Sequence, residues 1–289
     1  MKSVIVRSMG LYLNTLALVS PRAAAETGFR IFCRPLRGPI NEKQHAFFNS
    51  AERSTIEHAD ETIQVYKWGT GDKKVVFFHG WQSHTYRWKN YIDALPKDEY
   101  TIYALDAPGH GLSSGKFLSV PVYGSLIQQF LIGLGEVDTV IGHSLGGFSM
   151  LYTFYSYPLL NAKKMILLAP PGEATDFLSF YKDTLKLTNR SMELIHDHFE
   201  SVYQVRPDYF SAAKFASSIK IPGLIIHDKR DEEAPFKYAR MIHEQWKKSS
   251  LLATDGFGHN LRSSEVVQAV VSFITANVHQ QYTQRVSLL

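Results

Sequence analysis

Apolar residues between positions 74 and 254 fall into short, uninterrupted runs, and these runs alternate with stretches of helical periodicity. The runs are residues 74–79, 100–105, 138–141, 164–169, 221–227 and 250–254. The helical stretches are residues 85–95, 120–134, 145–157, 236–247 and 264–276. Strands without polar alternation are buried on both faces, and their alternation with helices is typical of a parallel sheet covered on both sides. The pattern therefore predicts an α/β fold with a mostly parallel, doubly wound sheet.

Two regions depart from this alternation. Residues 41–68 predict a short helix capped by Asn41, followed by a hairpin with strands at 54–57 and 62–68. The 50 residues at 171–220 separate two predicted strands, although a crossover needs only about a dozen or more residues. We therefore predict that this insertion is a small helical lid over the carboxyl edge of the sheet. The predicted domains are a basic helical arm (1–40), the core (41–170 and 221–278), the lid (171–220) and a C-terminal tail (279–289).

The first 40 residues differ in charge from the rest of the chain. They contain six Lys or Arg residues and one Glu, whereas the whole chain has a formal net charge of +4. The remainder is therefore nearly neutral, which argues against nucleic acid as a partner because binding to phosphates requires a broad basic face. The arm could lie on an acidic membrane surface as a peripheral contact, although packing against the core is the simpler interpretation.

The arm also has features of a secretory signal. Its apolar stretch, residues 8–19, is 12 residues long, which is too short to span a bilayer. Apolar periodicity continues through Phe32, beyond the position where a signal would be cleaved, so we favour a retained arm and a cytoplasmic protein. The alternative is an exported protein whose residues 1–25 are a signal peptide. The sequence does not indicate an oligomeric state.

The chain has one cysteine, Cys33. It can therefore form no internal disulfide, and no cysteine cluster can hold zinc. The glycines at 69–71 precede a predicted strand rather than a helix, and residues 111–116 lack the spacing of a phosphate loop. We expect neither a cofactor nor a metal.

The sequence G-H-S-L-G at residues 142–146 lies between a predicted strand and a predicted helix. G-x-S-x-G in this context is typical of a nucleophile elbow, a tight turn that exposes the serine hydroxyl above the sheet. Glycines are needed where the strand and the helix approach closely. We therefore predict Ser144 as a nucleophile.

Other residues with suitable chemistry also follow predicted strands. His259 follows the last strand and is predicted as the general base, and Asp231 follows the strand before it and is predicted to orient that histidine. The backbone N–H groups of Trp81 and Leu145 are predicted to form the oxyanion hole. Because ligands bind at the carboxyl ends of parallel strands, we expect these groups to converge at one edge of the sheet.

The motifs together resemble those of the α/β-hydrolase superfamily. Residues 106–114, D-A-P-G-H-G-L-S-S, resemble its D-x-P-G-x-G-x-S turn, and Pro235 after Asp231 also fits the pattern. The triad order Ser, Asp, His is that of this superfamily. H-G-W at 79–81 resembles, among others, the pimeloyl-carrier-protein methyl esterase branch. The resemblance extends over residues 62–276 and implies the α/β-hydrolase fold and an esterase- or lipase-like serine hydrolase.

One position departs from that family pattern and leaves the acid of the triad open. The superfamily usually has H-G-x-x-D after the strand, and Asp228 here takes the place of the glycine. Asp228, Glu232 and Glu233 are therefore alternatives to the favoured Asp231. Glu173 or Asp176, after the preceding strand, is a more remote option.

The predicted function is hydrolysis of a small or medium apolar carboxylic ester through an acyl-enzyme. His143 beside the nucleophile and the lid aromatics Phe177 and Phe180 are the predicted substrate-pocket residues. A thioesterase, a C–C bond hydrolase or a perhydrolase would use the same triad. A protein of a different class, a non-catalytic ligand-binding member of the same fold, is the further alternative.

Overall fold

The computed structural model describes residues 2–276 and contains one eight-stranded mixed sheet within them. The strands are β1 (Glu52–His58), β2 (Glu61–Trp68), β3 (Lys73–Phe78), β4 (Tyr100–Leu105), β5 (Val137–His143), β6 (Ala162–Leu168), β7 (Gly223–Asp228) and β8 (Ser249–Thr254). Their spatial order is β1-β2-β4-β3-β5-β6-β7-β8. β2 pairs antiparallel with β1 and with β4, and all other neighbours are parallel. The predicted fold class, a mostly parallel sheet of the α/β-hydrolase type, is confirmed.

Eleven α-helices lie within the described part of the chain. They are α1 (Lys2–Val19), α2 (Pro21–Phe32), α3 (Glu42–Asn49), α4 (Lys89–Ala94), α5 (Val120–Leu134), α6 (Leu145–Ser156), α7 (Ala174–Leu185), α8 (Asn189–Tyr203), α9 (Ala212–Ala216), α10 (Lys237–Gln245) and α11 (Ser264–Thr275). They cover both faces of the sheet and produce two apolar layers. One layer includes Val76, Phe78 and Val140, and the other includes Val75, Phe77 and Ile141.

The continuous apolar runs are buried because successive side chains of a strand point to opposite, equally covered faces. Val75, Val76, Phe77 and Phe78 of β3 are all fully buried. Both faces of β3 are therefore buried, and no alternation of polar and apolar residues distinguishes them in the sequence. The carboxyl ends of β3, β5, β7 and β8 all lie at one edge of the sheet because these strands are parallel.

The helix predicted at 85–95 is divided in the structure. Residues Thr85–Trp88 form a 3₁₀ turn and α4 follows directly. The N–H of Thr85 donates to Asp106 Oδ1 at 2.8 Å, so the start of this segment is held by the loop after β4. The short helix predicted at 41–50 is α3, and the Asn41 side chain accepts from the Gln44 N–H in a capping box.

The arm packs against the 171–220 insertion, which contains α7, α8 and α9. Leu13 and Ala17 of α1 and Phe29 of α2 are buried. A Cβ atom at Gly10 would lie 1.7 Å from the carbonyl oxygen of Leu185, so α1 and the end of α7 touch through their backbones. The boundaries proposed for the arm, the core and the lid stay predictions. Residues 277–289, which include the tail predicted at 279–289, lie outside the described residues.

Candidate active site

The turn between β5 and α6 holds Ser144 in a strained conformation. Its backbone angles are φ 50° and ψ −124°, a region that residues other than glycine rarely occupy. A Cβ atom at Gly146 would lie 2.3 Å from the carbonyl oxygen of Phe78, so the close approach of α6 to β3 requires glycine there. The motif at 142–146 therefore folds as the predicted strand–turn–helix.

Ser144, His259 and Asp231 form a continuous chain of hydrogen bonds at the carboxyl edge of the sheet. His259 Nδ1 lies 2.8 Å from Asp231 Oδ2, and His259 Nε2 lies 2.9 Å from Ser144 Oγ. A carboxylate only accepts hydrogen bonds, so Nδ1 carries the proton and Nε2 is left to accept from the serine hydroxyl. The imidazole thus has the tautomer that a general base needs.

The side chain of Asp231 is held by four donors. Its Oδ1 accepts from the N–H groups of Glu233 at 2.9 Å and Ala234 at 2.8 Å. Its Oδ2 lies 2.8 Å from His259 Nδ1 and 3.1 Å from His227 Nε2. Burial alone would raise the pKa of Asp231, but the hydrogen bonds from His227, His259 and Ala234 outweigh it and hold the pKa well below its usual range. Asp231 is therefore ionised throughout the neutral range.

Asp228 also accepts four hydrogen bonds, but none of them comes from a histidine ring. Its Oδ1 accepts from the N–H groups of Arg230 at 2.9 Å and Gly256 at 3.1 Å. Its Oδ2 accepts from the Thr254 hydroxyl at 2.7 Å and the Phe257 N–H at 2.8 Å. Asp228 thus joins the loop that carries Asp231 to the loop that carries His259.

The pKa of Asp228 reflects this environment. Burial raises it, yet the hydrogen bonds from Thr254, Phe257, Arg230 and Gly256 lower it to about 2. The more remote options for the triad acid are engaged elsewhere.

Glu173 accepts from the Ser211 hydroxyl at 2.8 Å, and Asp176 accepts from the Tyr238 hydroxyl. Of the four carboxylates, Asp231 is the one that contacts the His259 ring nitrogen through a short hydrogen bond. The geometry therefore favours Asp231 over Asp228, Glu173 and Asp176.

The loop after β3 is fixed by His110. The N–H of Gln82 donates to His110 Nε2 at 3.0 Å, and His110 Nδ1 donates to the Pro108 carbonyl at 2.9 Å. Burial and the neighbouring His79 lower the pKa of His110 to about 3, so its ring is neutral and can accept. Because the Gln82 N–H is engaged, Trp81 stays the predicted oxyanion donor of this loop.

Leu145 is the first residue of α6. The first N–H groups of a helix have no partner within it, which leaves the Leu145 N–H available beside Ser144. Its role, like that of Trp81, stays a prediction.

His79 and Asp106 stabilise the two loops beside the serine. His79 Nδ1 donates to the Gly80 carbonyl at 2.8 Å, and His79 Nε2 accepts from the Ala107 N–H at 2.9 Å. Burial lowers the pKa of His79 to about 3, which excludes it as a proton carrier at neutral pH. Asp106 Oδ2 accepts from the Leu112 N–H and the Tyr66 hydroxyl, each at 2.9 Å. The hydrogen bonds of His79 and Asp106 therefore stabilise the loops beside Ser144.

The three predicted pocket residues lie in different environments. His143 is buried, and its Nε2 donates to the His259 carbonyl at 2.9 Å, so it supports the backbone of the base. Burial, the charge of Arg87 and that of His259 lower the pKa of His143 well below its usual range. Phe177 packs on α6, with its ring centroid 6.4 Å from that of Phe148. Phe180 is 73% exposed and lies outside the apolar core, and its place in a substrate pocket stays a prediction.

Sequence reasoning missed His227. It is fully buried at the end of β7, and its Nε2 lies 2.7 Å from the Ala234 carbonyl and 3.1 Å from Asp231 Oδ2. Both neighbours are acceptors, so Nε2 carries a proton that it shares between them. The signal available in the sequence was a histidine at the end of a buried strand, four residues before the favoured acid.

Two further observations concern cofactors and membranes. Within residues 2–276, no group of three or more His, Cys, Asp or Glu side chains is arranged to hold a metal ion. Over the same residues, no helix combines the length and the apolarity needed to cross a membrane.

The chain is similar to known hydrolases in sequence. A family model described as "Serine aminopeptidase, S33" matches residues 69–211. A serine hydrolase-like protein from Danio rerio is 34% identical over 149 residues, 47% of this chain and 44% of that protein. A bifunctional esterase/perhydrolase from Acinetobacter calcoaceticus is 23% identical over 250 residues, 68% of this chain and 89% of that protein. The chain spans 23% of another relative, the acetyltransferase component of an acetoin cleaving system from Cupriavidus necator.

The fold is also shared with solved structures. One is a membrane phospholipase A, described as a bacterial virulence factor, with a TM-score of 0.60 and 16% sequence identity. That similarity covers 94% of this chain and 96% of the other. Together with the sheet order, these comparisons show that the chain has the α/β-hydrolase fold and is similar in sequence to members of that superfamily, as the sequence motifs predicted. Its relatives and structural neighbours include esterases and lipases.

Proposed function

We propose that the protein is a serine hydrolase that cleaves carboxylic esters through an acyl-enzyme. The observation that carries this proposal is the hydrogen-bonded chain from Ser144 through His259 to Asp231, at 2.9 and 2.8 Å. An alcohol is a weak nucleophile at neutral pH unless an adjacent base accepts its proton as it attacks. His259 Nε2 is within reach of that proton.

The reaction proceeds in two halves. Ser144 Oγ attacks the ester carbonyl and His259 Nε2 takes the hydroxyl proton, which gives a tetrahedral oxyanion at the Trp81 and Leu145 N–H groups. His259 then donates the proton to the leaving alcohol, and the acyl group stays on Ser144. A water molecule repeats the attack with His259 as base, and the acid leaves as Ser144 regains its proton.

Asp231 supplies the electrostatic support for the charged imidazole. Its hydrogen bonds keep it ionised, so a negative charge faces His259 Nδ1 whenever Nε2 holds the transferred proton. His227 and the Glu233 and Ala234 N–H groups fix the direction of that carboxylate. The acid therefore needs no rearrangement during the reaction, which is how preorganised sites lower barriers.

The proposed substrate is a small or medium apolar ester. Phe177 of the insertion is partly exposed and packs against the buried Phe148 of α6, the helix that follows Ser144. The names of the relatives, an esterase/perhydrolase and a serine hydrolase-like protein, support ester chemistry. Thioester, C–C bond and peracid chemistry would use the same residues and are the competing substrates of the test below.

The arm is proposed to belong to the mature protein. Leu13, Ala17 and Ala24 are buried against the rest of the chain, and removing residues 1–25 would expose the surface that they cover. This supports a retained arm over a signal peptide, while a cytoplasmic location stays a prediction. Peripheral membrane contact through the arm is part of the same proposal.

The proposal is tested with p-nitrophenyl esters of increasing acyl length, measured as kcat/KM for the purified protein. We expect turnover that varies with chain length and a loss of about 10⁵-fold in Ser144→Ala, because Ser144 Oγ is the hydroxyl that His259 Nε2 contacts. Acyl-thioesters and a β-diketone, assayed in parallel, distinguish the competing chemistries. Unchanged turnover in Ser144→Ala would contradict the proposal.

A further inference from the structure

The outward side of α1 exposes two apolar rows, with the small polar residues Ser8 and Thr15 between them. Val4, Leu11 and Leu18 form one row at seven-residue spacing, and Ile5, Tyr12 and Val19 form the row beside it. These six side chains are between 55% and 80% exposed. They account for six of the fourteen large hydrophobic side chains that are exposed within the described residues. We call this surface the α1 stripe.

Packing of the arm does not explain the α1 stripe. The opposite side of α1 is the one that contacts the protein, through Leu13, Ala17 and Gly10. A surface helix normally has charged or polar residues on the side that faces away from the core. α1 departs from that rule, since six large apolar side chains are exposed on the side away from the core, and exposed patches of this kind mark a site of interaction.

The charges around the α1 stripe favour an anionic surface. The chain has no acidic residue before Glu26, and Glu26 is paired with Arg30 at 3.0 Å. Arg7 in the first half of α1 and Arg22 in the first turn of α2 are exposed. The turn at 186–190, which α1 contacts, has an exposed lysine and an exposed arginine and no acidic residue.

A bilayer surface fits the α1 stripe better than a partner helix does. Two helices that form a coiled coil need apolar residues at alternating spacings of three and four. The positions that would complete that pattern are Ser8 and Thr15. Two adjacent apolar rows beside basic residues are instead the pattern of a helix that lies in the plane of a membrane interface.

We propose that the α1 stripe is a docking surface for an anionic lipid bilayer, on which α1 lies parallel to the membrane. The described residues contain no helix able to cross a membrane, so the contact is peripheral. The stripe is long enough for such a contact, since an 18-residue helix extends about 27 Å.

α1 is also joined to the insertion near the serine. Asn14 Nδ2 donates to the Lys186 carbonyl at 3.0 Å, and Asn14 Oδ1 accepts from the Thr188 N–H at 2.9 Å and the Ser191 hydroxyl at 2.8 Å. Arg190 Nε donates to the Ala17 carbonyl at 3.2 Å. α1 is therefore fixed to the turn that follows α7, the helix that carries Phe177. The substrate class that follows, an ester whose acyl chain resides in the bilayer, rests on the proposed function, whereas the docking surface does not.

The test compares two double variants of the full chain. Leu11→Gln with Leu18→Gln removes one row of the stripe and keeps good helix formers. Ile132→Gln with Leu159→Gln makes the same kind of change at exposed apolar positions far along the sequence, and is the matched control. Each protein is sedimented with vesicles of phosphatidylcholine and phosphatidylglycerol, and with vesicles of phosphatidylcholine alone.

We expect the wild type and the control to bind the anionic vesicles and to bind less well at high salt, because salt screens the basic residues. The stripe variant should bind at least about tenfold less well, since interfacial affinity scales with the apolar area that is buried. Circular dichroism establishes that it folds. Equal binding of vesicles by the stripe variant and the control would overturn the proposal. A wild-type protein that does not bind vesicles and forms dimers through the stripe would also overturn it.

Turnover separates this proposal from the proposed function. The stripe variant should hydrolyse a water-soluble p-nitrophenyl ester within about twofold of wild type, and should lose at least about tenfold on an ester carried in the anionic vesicles. Loss of both activities in a folded variant would contradict the independence of the stripe from the site. Stripe-dependent vesicle binding without any ester turnover in the wild type would leave the docking surface standing and remove the proposed function.

Discussion

The carboxyl edge of the sheet and the outward face of α1 obey opposite physical rules. At the sheet edge, Asp231 and Asp228 are buried, and each accepts four hydrogen bonds. On α1, six large apolar side chains are exposed and the polar residues between them are small. In the first region the buried carboxylates are fully hydrogen-bonded. In the second region large apolar side chains are exposed to water.

The contrast shows where the molecule fixes its geometry and where it depends on a partner. Buried carboxylates with every oxygen occupied have one orientation, because any other would leave donors unsatisfied. An exposed apolar helix face has no such preference until it meets an apolar phase. Catalysis therefore belongs to the rigid region, and attachment to the adaptable one.

Asp231→Asn should produce the largest effect of the acid-loop variants. An asparagine amide can donate to His259 Nδ1 and so select the wrong tautomer, which should lower kcat/KM by about 10³- to 10⁴-fold. Asp176→Asn changes a carboxylate that bonds Tyr238 instead, and is the matched control. Equal losses in both variants, measured with the same soluble ester, would contradict the assignment of Asp231 as the acid.

Asp228→Asn should have a smaller effect on turnover and a clear effect on acid stability. It replaces an acceptor oxygen by a donor that faces other donors, which should cost about 1–3 kcal/mol in the free energy of unfolding. We expect kcat/KM to fall by about tenfold, because the loops of Asp231 and His259 lose their common support. Activity lost to the same extent as in Asp231→Asn would mean that Asp228 acts on His259 directly.

The pH dependence of that variant follows from the pKa of Asp228. Hydrogen bonds, outweighing burial, lower it from 3.8 to about 2 on folding. The stability that the carboxylate contributes is therefore present above about pH 4 and is lost as the pH falls toward 2. Thermal unfolding should show a gap between wild type and Asp228→Asn that is constant near neutrality and narrows in acid. A gap that widens in acid would contradict this account.

The α1 stripe should give the smallest effect in solution. Surface substitutions away from buried contacts usually change stability by less than about 0.5 kcal/mol. The stripe variant described above should therefore match wild type on soluble esters and differ only when a bilayer is present. If the stripe variant failed to fold, the α1 stripe would be a structural element, and the contrast with the carboxyl edge of the sheet would not hold.

Much of the fold could be predicted because its signals are local. The uninterrupted apolar runs locate β3 to β8 to within a few residues, and the motif at 142–146 locates the turn with Ser144. The division of the predicted helix at 85–95 could not be seen, because the Thr85 N–H is held by Asp106, a residue distant in sequence. Hydrogen bonds between residues distant in sequence do not change the hydrophobic periodicity from which helices are predicted.

The three residues of the candidate triad could be predicted from the sequence, whereas the contacts of the surrounding residues could not. The order and the spacing of Ser144, Asp231 and His259 follow from strand ends, which converge whenever the sheet is parallel. The exposure of Phe180 could not be predicted, because helical periodicity does not say which side of α7 faces the sheet. The contacts of His227 and Asp228 depend on how two loops meet, and no local pattern records that.

The most direct test of the central claim is labelling by a fluorophosphonate, which reacts with a serine hydroxyl only when a neighbouring base activates it. The wild type is incubated with the probe, digested, and the modified peptide is identified by mass spectrometry. The account predicts one phosphonylated residue, Ser144, with labelling that is slowed strongly in Asp231→Asn and abolished in Ser144→Ala. Labelling at another serine, or labelling that persists in Ser144→Ala, would contradict it.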